Sequence, residues 1–353
     1  MNRDFYLKLG HAGLRMPIGA DLVLHEQPNP AEIVRDGRAL GQVIEETARR
    51  YHTPLAFGHM DLTLEKAALL RHLDVSDEQA ATFHFTECPS PAAVAKLRSG
   101  LAGPLHPHLQ AQVDAMRYIA RETDLLPVGM TIGPFSLMTK LLSDPIAPIY
   151  LAGSGLSAEE DPEVRTVETL LELATLMVLR SAAAQIEAGA KAMFVAEPAA
   201  NKVYVSPRQM EAGSDIFERY PIRANRRLTA LLQEHGVDLV FHCCGELTDD
   251  MVRAFAALRP VILSLGSSRK LWEDARLVPD DIVFYGNLPS KHFYSDALVS
   301  RQDVERMTCE LLGQMRATGH PFILGSECDV LSVPGAEAVI RSKVDAFVQC
   351  KCE

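Results

Sequence analysis

The sequence predicts an α/β protein, a (β/α)8 barrel of the TIM type preceded by an N-terminal extension. Three observations point there. Short apolar runs alternate with longer stretches of helical period along most of the chain, the rhythm of a parallel sheet covered by helices. About eight such units can be placed, and each apolar run ends in a polar or glycine-containing turn, as the strands of such a barrel do at the face that carries function. The competing architecture, a doubly wound open sheet, would carry a GxGxxG after its first strand; neither that motif nor a Walker motif is present.

Residues 1–50 read as an extension packed on the barrel, and residues 51–353 as the barrel itself. Within the extension, Ile18 to Leu24 is strand-like. Asn29 and Pro30 then suit the cap and first position of a helix, which restarts after Gly37. The first barrel strand is Pro54-Leu-Ala-Phe57, followed by Gly58-His-Met-Asp61 and a helix from Leu64. Thr82-Phe-His-Phe85 reads as a further strand, and 92–101 and 107–122 read as helices. Leu126 to Ile132 is strand-like and ends in Gly133-Pro134. The stretch from Val164 to Ala188 is the clearest helix, closed by Gly189 in the usual C-terminal role. Later strands are expected at 192–196, 238–242, 261–265, 282–285 and 321–325. The helices between them fall near 222–235, 249–258, 303–318 and 337–349.

The chain has 353 residues, 47% of them hydrophobic, enough to bury a large core. A formal net charge of −11 argues against a nucleic-acid binder, which would carry a basic stripe. No uninterrupted apolar segment of roughly 18 residues reads as a membrane span, and Met1 to Leu9 lacks a signal-peptide core. The expected location is the cytoplasm. The seven cysteines (88, 243, 244, 309, 328, 350 and 352) lack small-scaffold spacing, and in a reducing compartment clustered cysteines are more often metal ligands or catalytic thiols than disulfides.

The chemistry concentrates in His242-Cys243-Cys244-Gly245, which ends an apolar run. Residues i and i+2 of an extended segment share a face, so His242 and Cys244 can reach one ion while Cys243 points away. Cys328 ends the last apolar run in the equivalent place and is the natural third ligand. Two thiolates and an imidazole with one open position suit catalytic Zn2+. The competing reading is a buried thiol beside a histidine bonded to a carbonyl, and the pattern alone leaves both open. Other strand-end polar residues are candidates of a second kind. Glu197 would be a proton acceptor, a further zinc ligand or a substrate contact, against a plain helix cap; Asp61 is a catalytic candidate that would otherwise cap the next helix. Asn201 and Asn287 would line a substrate pocket, although Asn also favours turns. Glu246, Glu327 and Asp329 flank the ligands and would orient them, while His59 is expected to be structural. Cys350-Lys-Cys352 has ligand-like spacing but is read as a frayed last turn.

Several segments carry a family resemblance: Met60-Asp-Leu-Thr-Leu-Glu-Lys66, Gly133-Pro-Phe-Ser-Leu-Met138, Gln185-Ile-Glu-Ala-Gly-Ala190, Ser206-Pro-Arg-Gln-Met210, His235-Gly-Val237 and His242-Cys-Cys-Gly245. Together they resemble the uroporphyrinogen decarboxylase superfamily, a family of (β/α)8 barrels. The His-x-Cys and the segment Gly325-Ser-Glu-Cys-Asp-Val330 resemble the zinc motif of its corrinoid-dependent branch, which includes the methylcobamide:coenzyme M methyltransferases. That resemblance implies a zinc-dependent methyltransferase working between a corrinoid (cobalamin) and a small thiol or methylated substrate. The chain has no DxHxxG segment of the usual cobalamin-binding kind, so the corrinoid is expected on a partner protein. The alternatives are a metal-free decarboxylase or a non-catalytic member. The decarboxylase proper grips its substrate's carboxylates through an arginine-rich N-terminal segment; the corresponding region of this chain offers only Arg15 and then Ala20-Asp-Leu-Val-Leu-His25.

Overall fold

A computed structural model of the protein describes residues 3–352. Seven parallel strands form one sheet in chain order: β1 (Leu55–Phe57), β2 (Leu126–Ile132), β3 (Ala192–Ala196), β4 (Asp238–Cys243), β5 (Ile262–Leu265), β6 (Val283–Leu288) and β7 (Phe322–Ser326). Every strand pairs with the next in sequence, and apart from Leu126 all strand residues are buried. That is the reason they read as continuous apolar runs: a parallel sheet covered by helices has no solvated face to alternate toward.

The sheet is strongly curled. On a flat sheet β4 and β7, three strands apart, would stand about 14 Å from each other. Yet Cys244 and Cys328, just beyond their ends, bring their sulfur atoms within 4.8 Å. On the inner face, Phe57 meets Phe194 edge-on at 5.8 Å, and Phe194 stacks on His242 at 5.3 Å. On the outer face, Phe241 packs on Phe255 of the helix Asp249–Ala257, with ring centroids 4.8 Å apart. The period-two alternation of β4 therefore separates a lining that carries polar chemistry from a lining that holds a helix.

Among the described residues the architecture is TIM-barrel-like with seven strands in the sheet rather than the expected eight. Residues 82–85 do not join the sheet. Ser76 caps a helix over Asp77–Thr82 through a reciprocal capping box with Gln79, and only Phe85 makes a bridge, to Leu142 outside the sheet. The strand expected at Ile18–Leu24 is also absent, since Asp21–Leu24 is a turn of helix. The residues before it lie along the free edge of β7 instead. Arg15 bridges Leu324 and Ile18 bridges Asp329, both in parallel sense. Gly19, with φ +87°, turns the chain, and a Cβ there would lie 1.9 Å from the Asp329 carboxylate. Asp21 then reaches to 3.6 Å from His59 Nε2, beyond the end of β1. The extension thus touches both edges of the curled sheet.

Helix ends follow their caps. Asp161 caps the 27-residue helix Pro162–Ala188 and Gly189, at φ +114°, closes it. This helix is long and apolar enough on average to cross a membrane, but half of that stretch is buried in the protein, against the helices Pro107–Glu122, Pro134–Leu141 and Arg223–Glu234. The expected helix at Pro30 lasts one turn, to Ile33: Asn29 bonds the Glu32 side chain rather than capping, and the longer helix Gly37–Arg50 starts on Asp36. At the C-terminus the expected frayed turn is tied down, because Cys309 and Cys352 form a disulfide between the terminal segment and the helix Arg301–Thr318.

Candidate metal centre

The inner-face position of His242 follows from register. Its lateral neighbours are Ala196 on β3 and Ser264 on β5. Residues paired across a parallel ladder project to the same side, so the Ser264 hydroxyl stands beside the imidazole, with Nδ1 2.9 Å from Oγ. His242 is 1% exposed, and its other nitrogen, Nε2, is buried without a hydrogen-bond partner. A buried imidazole nitrogen with no partner is costly. Here it faces the thiols of Cys244 and Cys328, and the three donor atoms lie within 4.8 Å of one another.

Local sequence explains why the thiols are held there. Gly266, after β5, donates its amide to Cys243 O at 3.2 Å, and a Cβ on Gly266 would sit 2.7 Å from Cys244 O. Gly245 is packed against Asn201, with room for no Cβ. Cys328 lies two residues past β7. The preceding Glu327 donates its amide to Leu288 O and accepts from Ser267 N and Oγ at 3.0 and 2.7 Å. The loops after β5, β6 and β7 are therefore bound into one frame around Cys328.

The electrostatics favour thiolate. A hydrogen bond from Cys328 holds the Cys244 thiol well below its ordinary value against the opposing effect of burial, with His242 and Lys291 adding to it. The same bond pushes Cys328 up, and burial pushes it further. Without a metal, one proton thus sits between two sulfurs and one of them is readily ionised. Half-burial opposes the charge on Lys291, but Cys244, Glu327 and Cys328 outweigh it and hold the ammonium above its ordinary value. Cys243, on the outer side, is fully buried with Sγ 3.7 Å from Ala200 O, and desolvation pushes its thiol far up. Two ionisable thiols, one imidazole with its second nitrogen already bonded, and a partnerless buried Nε2 fit zinc in both donor type and orientation.

Glu197 and Asp61 are not among the donors that meet here, and each of the other sequence candidates has contacts of its own. Glu197 is fully buried, and its carboxylate accepts from the amides of Ser136 and Phe135 at 2.5 and 3.3 Å and from Asn225 Nδ2 at 2.6 Å. It caps the first turn of Pro134–Leu141, and desolvation raises its pKa. Asp61 accepts from the amide and hydroxyl of Thr63 at 2.9 and 2.6 Å, at the start of the helix Leu64–Leu70. Asn201 donates to Pro198 O and accepts from Val203 N, a local turn packed against Gly245. Asn287 donates to the carbonyls of Gly266 and Arg269, both at 2.8 Å, and lines a cavity of about 300 Å3 with Ser267, Trp272, Pro289 and Met307. Glu246 forms an ion pair with Lys202 at 3.0 Å. Asp329 is buried against Gly19, and burial drives its pKa well up. Sequence reasoning missed Ser264 and Lys291. Ser264 left a trace, a polar residue inside the run Ile262-Leu-Ser-Leu265; Lys291, in a short turn after β6, left none.

The sequence profile of the uroporphyrinogen decarboxylase (URO-D) family matches residues 24–341. No curated protein matches the sequence. Among solved structures the chain is similar to a methyltransferase from Methanosarcina mazei, with a TM-score of 0.63 and 15% identity, over 96% of this chain and 92% of that one. At that identity the likeness speaks to the fold.

Proposed function

The chain belongs to the uroporphyrinogen decarboxylase family, and on that premise we propose that it is a zinc-dependent methyltransferase, moving a methyl group between a corrinoid on a partner protein and a small thiol or methylated substrate. The observation that carries this reading is the convergence of His242, Cys244 and Cys328, with a buried Nε2 that lacks any other partner. These residues would hold the ion; when bound, it would lower the pKa of a substrate thiol and keep the sulfur available as a nucleophile. The corrinoid and its carrier rest on the family resemblance. So does the choice between a thiol acceptor and a methylated donor.

The chain's own residues would divide the remaining work. Ser264 fixes the tautomer and orientation of His242 by accepting its Nδ1 proton. Phe194, stacked on the imidazole, closes the apolar side of the centre. Lys291 offsets the charge that two thiolates bring to a half-buried site. Glu197 enters as a positioning residue that ties β3 to the helix starting at Pro134, since its oxygens already accept from that helix and from Asn225. Asp61 enters as a polar group at the end of β1, and Asn201 and Asn287 as walls of the substrate space. The metal-free decarboxylase reading is weakened at Arg15, whose Nη1 is bonded to the carbonyls of Cys350 and Phe347.

The test is demethylation of free methylcobalamin by the zinc-loaded protein with a panel of small thiols, followed by the change in corrinoid absorbance. Thiol-dependent demethylation that is abolished in Cys244→Ala, with the fold retained, supports the proposal. Undiminished activity in that variant would refute it.

A further inference from the structure

The second cluster of soft ligands lies at the C-terminus. The Sγ atoms of Cys309, Cys350 and Cys352 all lie within 4.8 Å of one another, and each residue is half-buried. Cys309 is on the helix Arg301–Thr318, while Cys350 and Cys352 follow the end of the helix Glu337–Gln349. Beyond that helix end the chain is no longer helical, and two cysteines two apart in extended chain share a face. The segment is also anchored: Arg15 Nη1 donates to Cys350 O at 2.6 Å and to Phe347 O at 3.4 Å. A disulfide needs two sulfurs, and the third is what calls for explanation. Cys350 Sγ lies 3.5 Å from Cys309 Sγ and 3.9 Å from Cys352 Sγ. Zinc–thiolate bonds of about 2.3 Å at tetrahedral angles place two sulfurs about 3.8 Å apart, so Cys350 already stands at the edge length of a thiolate-bound ion from both neighbours.

We propose that in the reduced chain Cys309, Cys350 and Cys352 form a second, structural site for a thiophilic divalent cation such as zinc, distinct from the centre at His242. The Cys309–Cys352 bond is first cleaved by a thiol reductant. Two electrons pass to the two sulfurs, two protons follow, and the reductant leaves as its own disulfide. Binding of the ion then releases the three thiol protons, and water completes the coordination. Partial burial leaves a route for entry and exchange. Once the disulfide is reduced, binding energy adds to the order of the terminal segment, so the ion pins residues 350–352 to the helix Arg301–Thr318 under conditions where the disulfide does not.

The test is titration with Cd2+ of the full chain, reduced with a phosphine and freed of metal, read by the ultraviolet thiolate-to-metal charge-transfer band. Silencing the first centre with Cys244→Ala and Cys328→Ala separates the two sites. That variant is expected to bind one equivalent, with band intensity corresponding to three thiolates. Adding Cys352→Ser, outside every helix and strand, should weaken binding beyond the roughly 10–100-fold loss that follows removal of an outer-shell partner. In the otherwise unmodified chain, Cys352→Ser should lower the stoichiometry from two ions to one. Hydrogen exchange of the residues after Gln349 should slow when Zn2+ is added. A reduced chain that binds a single Cd2+ whether or not Cys352 is present would overturn the proposal.

Discussion

Replacing Ser264 by Ala isolates the tautomer requirement of the centre. The hydroxyl is the only hydrogen-bond partner described for His242 Nδ1, at 2.9 Å and at a fully buried position. An imidazole that ligates through Nε2 must carry its proton on Nδ1, and in Ser264→Ala that proton has no acceptor. Leaving a buried donor unsatisfied costs about 1–3 kcal/mol. The metal-free protein avoids most of this cost, because the imidazole can move its proton to Nε2, on the side of Cys244, whose thiol is held below its ordinary value. The penalty therefore falls on the metal-bound state, and zinc affinity should drop roughly 5- to 150-fold. The assay is zinc competition against a chromophoric chelator, paired with thermal melting of the metal-free protein. Ser264→Thr, which keeps a hydroxyl, should recover most of the affinity. Zinc affinity in Ser264→Ala within a factor of about two of the parent, a free-energy change below the cost of any lost buried bond, would refute the reasoning.

Two further outcomes follow from burial and alternation. Cys243→Ala removes a buried sulfur on the outer face, so it should lower stability by about 1 kcal/mol and leave zinc content unchanged; loss of zinc in that variant would mean that the inward and outward sides of β4 are wrongly assigned. Glu65, fully buried and bonded to Thr131 and Ser181 at 2.9 Å, is raised by desolvation to about 7. Between its ordinary value near 4.5 and about 7 the folded chain binds more protons than the unfolded one, so stability declines as pH rises through that window, by roughly 3 kcal/mol in total. Glu65→Gln keeps the acceptor and removes the titration, so its melting temperature should exceed the parent's at pH 8 and the gap should close near pH 4.5; parallel melting profiles would count against the assignment.

Much of the architecture was legible because its signals are local. Asp161-Pro162 and Gly189 bracket the long helix with a cap, a first-turn proline and a left-handed closing glycine. Buried parallel strands show as apolar runs. The strand expected at Ile18–Leu24 in the extension failed for a tertiary reason: its composition suits a strand, but Gly19 turns the chain and the Asp21 carboxylate accepts from Ser332 N, far along the sequence. Phe83 and Phe85 alternate like strand residues, yet they pack edge-on against each other at 5.0 Å in a loop. At the site, the spacing of His242 and Cys244 was readable from the two-residue period of a strand. The part played by Ser264 depends on the register of β4 against β5, and that of Lys291 on where a turn after β6 comes to lie; neither is encoded in local periodicity. The meeting of Cys309 with Cys350 and Cys352 likewise depends on how two helices pack.

The most direct measurement is the zinc content of the purified chain carrying Cys352→Ser, which silences the C-terminal cluster, compared with the same chain also carrying Cys328→Ala. About one zinc per chain is expected, held at one three-donor site, and it should be lost on removal of Cys328 with the fold intact. Zinc that survives the loss of Cys328 undiminished would contradict the claim that the ends of β4 and β7 meet at one ion.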